Sequence, residues 1–107
     1  MNGRLYFVNV GVAVAAMACA ITPLRADTLE QQVQVCTGCH GENGKGRSPD
    51  NALFPVIGGQ HKDYLVKQIT DLKTGSRKND PAGMMAGVAK AMTDSEIEAV
   101  AAYLAAQ

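Results

Sequence analysis

Two cysteines three residues apart, followed at once by a histidine, constrain this chain more than any other feature. The segment Cys36-Thr37-Gly38-Cys39-His40 has the pattern to which c-type haem is attached. On a helical turn, residues three and four apart share one face, so both thiols and the imidazole can reach one ring. We therefore expect Cys36 and Cys39 each to form a thioether with a haem vinyl group, and His40 to bind the iron as neutral imidazole does.

Two other uses of paired cysteines fit the sequence less well. A redox-active Cys-x-x-Cys motif is expected near a strand-helix-strand pattern, and no alternating apolar pattern precedes Cys36. A zinc site needs four ligands, and outside the motif only His61 remains to complete a set. The glycine-rich segment after the motif also differs from a phosphate-binding loop, which follows a strand and ends in Gly-Lys-Ser or Gly-Lys-Thr. Haem attachment is the favoured interpretation.

The first 26 residues have the pattern of an export signal. A basic start at Arg4 is followed by an almost continuous apolar run over residues 5–21, and Ala26 offers a small residue for cleavage. Cleavage after Ala20 is the second choice. An apolar run of about 17 residues is at the lower limit for crossing a bilayer, so an uncleaved anchor is the weaker alternative. We predict a cleaved signal peptide over 1–26, a single haem-binding domain over 27–107 and a periplasmic location.

Cleavage would leave a small, mildly acidic domain. Cys19 would leave with the signal peptide, so Cys36 and Cys39 would be the only cysteines left and no disulfide framework would be possible. Residues 27–107 contain 8 Lys and Arg and 10 Asp and Glu, a net charge of −2, which argues against nucleic acid as a partner. Five basic residues lie close together in sequence, and we interpret them as a solvated helix face rather than a docking site. They are Lys62, Lys67, Lys73, Arg77 and Lys78.

The sequence after the signal predicts helices and no strand. Asp27 or Thr28 can cap a first helix that delivers the motif, and Gly75 can end a second helix over residues 62–74. Pro81 can open a shorter third helix, and a capping box at residues 93–96 starts a fourth. The side chains expected on the apolar faces are Leu29, Val33 and Cys36, then Tyr64, Leu65, Ile69 and Leu72, then Met85, Val88 and Met92, and finally Ile97, Val100, Ala101 and Leu104.

Three short patterns occur in order along this domain. They are Cys-x-x-Cys-His-Gly-x-x-Gly-x-Gly at 36–46, Pro-x-hydrophobic-x-Gly-Gln at 55–60, and Met-x-x-Val-Ala-x-x-Met-Thr at 85–93. In these patterns the chain resembles the class I cytochromes c, in particular the small bacterial type whose single domains also occur in tandem in dihaem cytochromes. The resemblance implies an all-α class I cytochrome c fold with three to five helices wrapped around one covalently bound haem c and its iron.

The same resemblance implies two further site residues. In this family a loop proline offers its carbonyl to the free nitrogen of the ligating histidine, a role that falls to Pro55, and a ligating imidazole generally needs such an acceptor to fix its tautomer. The sixth iron ligand of the family is a methionine, and the spacing within the third pattern points to Met85, with Met84 as the alternative. We expect His61 to be solvated and not to bind the iron.

We therefore expect a periplasmic monohaem carrier that passes single electrons between redox proteins such as cytochrome complexes, oxidases or dehydrogenases. With His40 and Met85 both bound, the iron would have no open position for a substrate, so the protein would not itself be an enzyme. The alternative is a cytochrome subunit bound to a periplasmic dehydrogenase, for example one that oxidises sulfide or an alcohol. A sensor or peroxidase-like domain would need a weak or missing methionine ligand. No stable membrane insertion is expected after signal cleavage.

Overall fold

The structure, a computed structural model, describes residues 10–15, 27–47, 49 and 53–107. Cys19 and the two candidate cleavage points at Ala20 and Ala26 lie outside these residues. Over the described ranges the regular structure consists of four α-helices and two short 3-10 turns, with no strand, which confirms the predicted all-α class. None of the helices in these ranges is long and apolar enough to cross a membrane.

Helices α1 (Leu29–His40) and α4 (Asp94–Ala105) both begin at a capping box. In α4, the backbone N–H of Glu96 donates to the Thr93 hydroxyl, and the Thr93 N–H donates to the Glu96 carboxylate. Thr28 and Gln31 make the same pair of contacts in α1. These bonds satisfy amide groups that a helix start leaves without partners. The predicted box at residues 93–96 is confirmed, and Thr28 rather than Asp27 caps α1.

Helix α2 (Lys62–Thr74) has the predicted bounds, and it ends at Gly75 in the left-handed region, with φ 82°. Helix α3 (Met84–Lys90) starts three residues later than predicted, after a 3-10 turn at Pro81–Gly83. The delay arises because the turn contains Ala82 with φ 57°, which interrupts the helical backbone. Helix α3 also ends at Lys90, so Met92 lies beyond it rather than on it, although Met92 still packs against the core.

Helix α2 occupies the middle of the fold, where it packs against both α3 and α4, and α4 also packs against α1. The central cluster consists of Val33, Leu65, Val100, Ala101 and Leu104. All four apolar positions predicted for α4 are buried. In α2, Leu65 and Leu72 are buried, but Tyr64 is 51% exposed, so its predicted burial is wrong. Adjacent helical residues point about 100° apart, which places Tyr64 at the edge of the face that Leu65 defines.

Candidate functional site

The two cysteines and the histidine of the motif lie in the last two turns of α1. Cys36 is half-buried and packs against the central cluster, whereas Cys39 is exposed. His40, the last residue of the helix, is only 5% exposed. The two cysteines do not form a disulfide with each other. The helix therefore holds one thiol against the core, one at the surface and a buried imidazole at its end.

A glycine-rich reversal folds the chain back over His40. Gly41 has φ 84°, and a Cβ at this position would overlap the carbonyl oxygen of Gly46. The Gly46 N–H donates to the His40 carbonyl at 2.7 Å, and the Ile57 N–H donates to the Gly44 carbonyl at 2.8 Å. These bonds hold the segment around Ile57 against the turn that follows the motif. Only glycine combines the left-handed backbone with this close approach.

The returning segment places the Pro55 carbonyl oxygen 2.7 Å from Nδ1 of His40. A carbonyl can only accept, so Nδ1 must carry the proton, and in the neutral imidazole the lone pair is then on Nε2. This is the state in which histidine binds a metal, with its ring fixed by an acceptor on the other nitrogen. The rings of Phe54 and His40 also form a T-shaped pair, with centroids 6.3 Å apart and planes at 85°. The donor chemistry of His40 fits an iron ligand.

The electrostatics of Cys36 disfavour a thiol-disulfide exchange site. Burial, and after it the neighbouring Cys39, raises the pKa of the Cys36 thiol above its ordinary value. Reactive cysteines of redox motifs instead have a lowered pKa, because the thiolate is the attacking form. The Cys36 thiol also lies 3.6 Å from the Gln32 carbonyl, to which it can donate. A Cys36 thiol with a raised pKa, on the same helix as an imidazole whose Nε2 is free, suits covalent haem attachment better than metal-thiolate or exchange chemistry.

The two candidate methionines are adjacent at the start of α3, and their environments differ. Met84 is 48% exposed, whereas Met85 is half-buried. The main packing partner of α3 is α2, so Met85 is positioned by a different part of the fold from the Cys36 to His40 motif. His61 is exposed, directly before α2, and makes no side-chain capping bond there. This environment suits the expected solvated histidine.

Most of the basic side chains interpreted above as a solvated face are engaged within the protein. Lys62 pairs with Glu98 at 2.7 Å, and Lys67 pairs with Asp71 at 2.6 Å. Lys73 donates to the Met92 carbonyl at 2.6 Å. Arg77 bonds to side chains of α2 and of its own turn. Such pairing favours the interpretation of a solvated face, because these cations already have counter-charges or acceptors of their own.

Two contacts at the site were not foreseen from the sequence. One is the T-shaped contact between Phe54 and His40. A single aromatic residue before a proline does not indicate such a contact. The other is at Asp80, whose carboxylate accepts the backbone N–H groups of Met85 and Ala86. A helix-capping residue directly before Pro81 is a sequence signal that could have suggested this contact.

A separate cleft of about 460 Å³ lies between α1, the turn that follows it and Tyr103 of α4. Its lining includes Leu29, Val33, Thr37 and Tyr103. None of the predicted haem-attaching or iron-binding residues lines it, so the cleft is distinct from the candidate site.

Comparison with known proteins independently supports the interpretation of the Cys36 to His40 motif as a haem attachment site. The family model described as cytochrome c matches residues 30–107. Over 98 residues the chain is 44% identical to cytochrome c4 of Stutzerimonas stutzeri, and the matched region covers 90% of this chain and 46% of that protein. It is 36% identical to the thiosulfate dehydrogenase electron acceptor of Stutzerimonas stutzeri (strain A1501), over 92% of this chain and 44% of that one.

A solved structure shows the same relationship in three dimensions. The crystal structure of reduced recombinant cytochrome c4 from Pseudomonas stutzeri superposes with a TM-score of 0.62 at 38% sequence identity, over 72% of this chain and 46% of the other. The chain thus spans about half the length of the curated relatives that it matches.

Proposed function

Because the chain belongs to the cytochrome c family, as a class I c-type cytochrome with covalently bound haem c, we propose that it is a periplasmic monohaem carrier whose iron is bound by His40 and Met85. Electron transfer follows from family membership. Beyond that, we propose the identity of the two iron ligands, the periplasmic location, the boundaries of signal and domain, and the partners. Residues 1–26 would be removed on export, with cleavage after Ala26, and residues 27–107 would form the carrier.

The hydrogen bond between His40 and Pro55 is the observation that carries this proposal. With the proton held on Nδ1 by the Pro55 carbonyl at 2.7 Å, His40 would present its Nε2 lone pair to the iron. Cys36 and Cys39 hold the haem through two thioethers. Since the pair sits on the same helix as His40, covalent attachment and iron binding are fixed by one rigid element.

Met85 completes the iron site from α3. When bound, the haem supplies an iron that gains and loses one electron. A thioether as the second protein ligand besides His40 would favour the reduced iron and raise the reduction potential. Met85 is half-buried and Met84 is 48% exposed, which supports the choice of Met85. With His40 and Met85 both holding the iron, no position would be left for a substrate, and the chain would act as a carrier rather than as a catalyst.

The partners are redox proteins. One relative is named for accepting electrons from thiosulfate dehydrogenase, and by analogy we propose that a periplasmic dehydrogenase is the donor to this chain. Cys39 is exposed on α1, so a partner can approach the covalently held edge of the ring at that point. A permanently bound dehydrogenase subunit is the alternative, and it predicts that a larger catalytic chain co-purifies in fixed ratio.

The test is to export the full chain in a host that matures c-type cytochromes and to record absorption spectra of the purified protein in both oxidation states. We expect a low-spin haem whose oxidised spectrum contains the sulfur-to-iron charge-transfer band, at the red end of the visible range. We also expect each chain to take up one electron and to retain its haem after acid-acetone extraction. The mass of the purified chain reports the cleavage point. Extractable haem, or an oxidised spectrum without the sulfur band, would contradict the proposal.

A further inference from the structure

Asp80 holds the backbone on which Met85 sits. Its Oδ1 accepts the Met85 N–H at 3.0 Å, and its Oδ2 accepts the Ala86 N–H at 2.8 Å. These are the second and third residues of α3, whose N–H groups find no acceptor within the helix. The residue directly before α3 is Gly83, which has no side chain with which to cap it. Asp80 therefore caps α3 from three residues further upstream.

The turn between Asp80 and α3 brings the carboxylate under the helix start. Ala82 and Gly83 have φ of 57° and 67°, both in the left-handed region. The Gly83 N–H donates to the Asp80 carbonyl at 3.0 Å, which closes the turn. A left-handed conformation is unfavourable for alanine, so the turn needs compensating contacts. The two bonds to the Asp80 carboxylate are such contacts, and bonds to an ionised acceptor are roughly twice as strong as neutral ones.

The segment that carries Asp80 is itself fastened to α2. The Arg77 side chain donates to Gln68 of α2 at 3.1 Å and to Asn79 at 2.8 Å. The Arg77 N–H donates to the Asp71 carbonyl at 3.0 Å. Since α2 is also the main packing partner of α3, the position of Asp80 is set by α2, and Asp80 in turn sets the position of the Met85 backbone.

We propose that Asp80 is a positioning residue for the methionine ligand: its carboxylate fixes the Met85 main chain so that the thioether stays bound to the iron against competing ligands. This inference rests on the proposed assignment of Met85. It adds that the strength of the methionine bond depends on a side chain that does not touch the iron. A thioether is a neutral ligand with no charge to hold it to the metal, so the placement of its backbone decides how readily it is displaced.

The test uses the haem-loaded full chain and imidazole as a competing ligand. In the oxidised wild type, titration with imidazole should bleach the sulfur-to-iron band as Met85 is displaced. In Asp80→Ala both capping bonds are lost, and half-bleaching should occur at an imidazole concentration at least about tenfold lower, because one hydrogen bond to a charged group contributes about that factor or more. Asp80→Asn keeps one oxygen acceptor, so its shift should lie between those of the wild type and Asp80→Ala.

Asp94→Asn is the matched control. It also removes one carboxylate, but Asp94 is 92% exposed at the start of α4 and contacts Lys73 at 3.4 Å, away from the Asp80 cap. Its half-bleaching concentration should stay within about twofold of the wild type, a shift expected of an exposed ion pair. The inference would be overturned if both Asp80 variants titrated like the wild type, or if Asp94→Asn shifted as far as they do.

The assignment of Met85 as iron ligand and the role of Asp80 can be refuted separately. If the oxidised wild type shows no sulfur band, the methionine assignment is wrong and the role of Asp80 falls with it. If the wild type shows the band, Met85→Leu removes it, and the Asp80 variants leave the imidazole titration unchanged, the methionine assignment stands and only the role of Asp80 is refuted.

Discussion

His40 and Pro55, fifteen positions apart in the chain, are joined by a 2.7 Å hydrogen bond between the imidazole Nδ1 and a main-chain carbonyl. Because the acceptor belongs to the backbone, the identity of the side chain at position 55 matters less than the path of the loop. That path depends on Gly41, which reverses the chain directly after His40. The orientation of the imidazole is thus controlled by a glycine that makes no contact with the ring nitrogen.

Gly41→Ala should accordingly weaken the fold. The added Cβ would overlap the Gly46 carbonyl oxygen at a backbone φ of 84°, and strain of this kind costs about 1–3 kcal/mol. Urea unfolding of the haem-loaded protein followed by circular dichroism measures the loss. Gly87→Ala is the control, because a Cβ at Gly87 meets no protein atom within 4 Å. In a helix interior it should gain about 0.5–1 kcal/mol. Equal effects of the two substitutions would contradict the role of Gly41.

Replacing either Cys36 or Cys39 by alanine should leave one thioether to the haem, and replacing both should leave none. A denaturing gel stained for haem measures covalent attachment. We expect a much lower yield of haem-loaded protein from each single variant and no stained band from the double variant. Retention of the full stained band in the double variant would show that the haem is attached elsewhere.

The two histidines should differ sharply. His40 is buried and bonded through Nδ1, so His40→Ala should abolish the low-spin spectrum of the wild type. His61 is exposed and makes no side-chain capping bond, so His61→Ala should leave the spectrum unchanged in both oxidation states. If the sulfur band were absent from the wild type and appeared only in His61→Ala, the iron would instead be bound by two histidines.

Leu72 and Tyr64 were predicted to face the same core, and the structure separates them. Leu72 is buried in α2, whereas Tyr64 is about half exposed. Leu72→Ala should therefore lower the free energy of unfolding by about 2–5 kcal/mol, and Tyr64→Ala should cost less than about 1 kcal/mol. Chemical unfolding of the two variants side by side measures the difference. A larger loss for Tyr64→Ala would mean that its ring is buried in the haem-loaded protein.

Local sequence signals predicted the parts of the fold that local contacts determine. The bounds of α2 follow from its apolar spacing and from Gly75, and the start of α4 follows from the Thr93 and Glu96 pair. The cap on α3 was missed because it spans five and six residues and depends on a left-handed alanine that no propensity indicates. The contact of Phe54 with His40 was missed because it depends on the path of the loop.

At the site, the sequence identified the haem motif, and family resemblance supplied Pro55 and Met85. The spacing of Cys36, Cys39 and His40 is a local pattern on one helix, so it can be read from the chain directly. The pairing of His40 with Pro55 joins residues across a loop, and no periodicity encodes it. The structure supplies the 2.7 Å bond for that pair. Met85 as the sixth ligand remains a prediction.

The red-end sulfur-to-iron band of the oxidised protein, compared among the wild type, Met85→Leu and Met84→Leu, tests the proposed iron site most directly. Adjacent helical residues point about 100° apart, so only one of the two methionines can supply the thioether. We predict that the band is present in the wild type and in Met84→Leu and absent from Met85→Leu, and that Met85→His keeps a low-spin haem at a lower reduction potential. A band that survives in Met85→Leu and disappears in Met84→Leu would place the ligand one residue earlier and contradict this account.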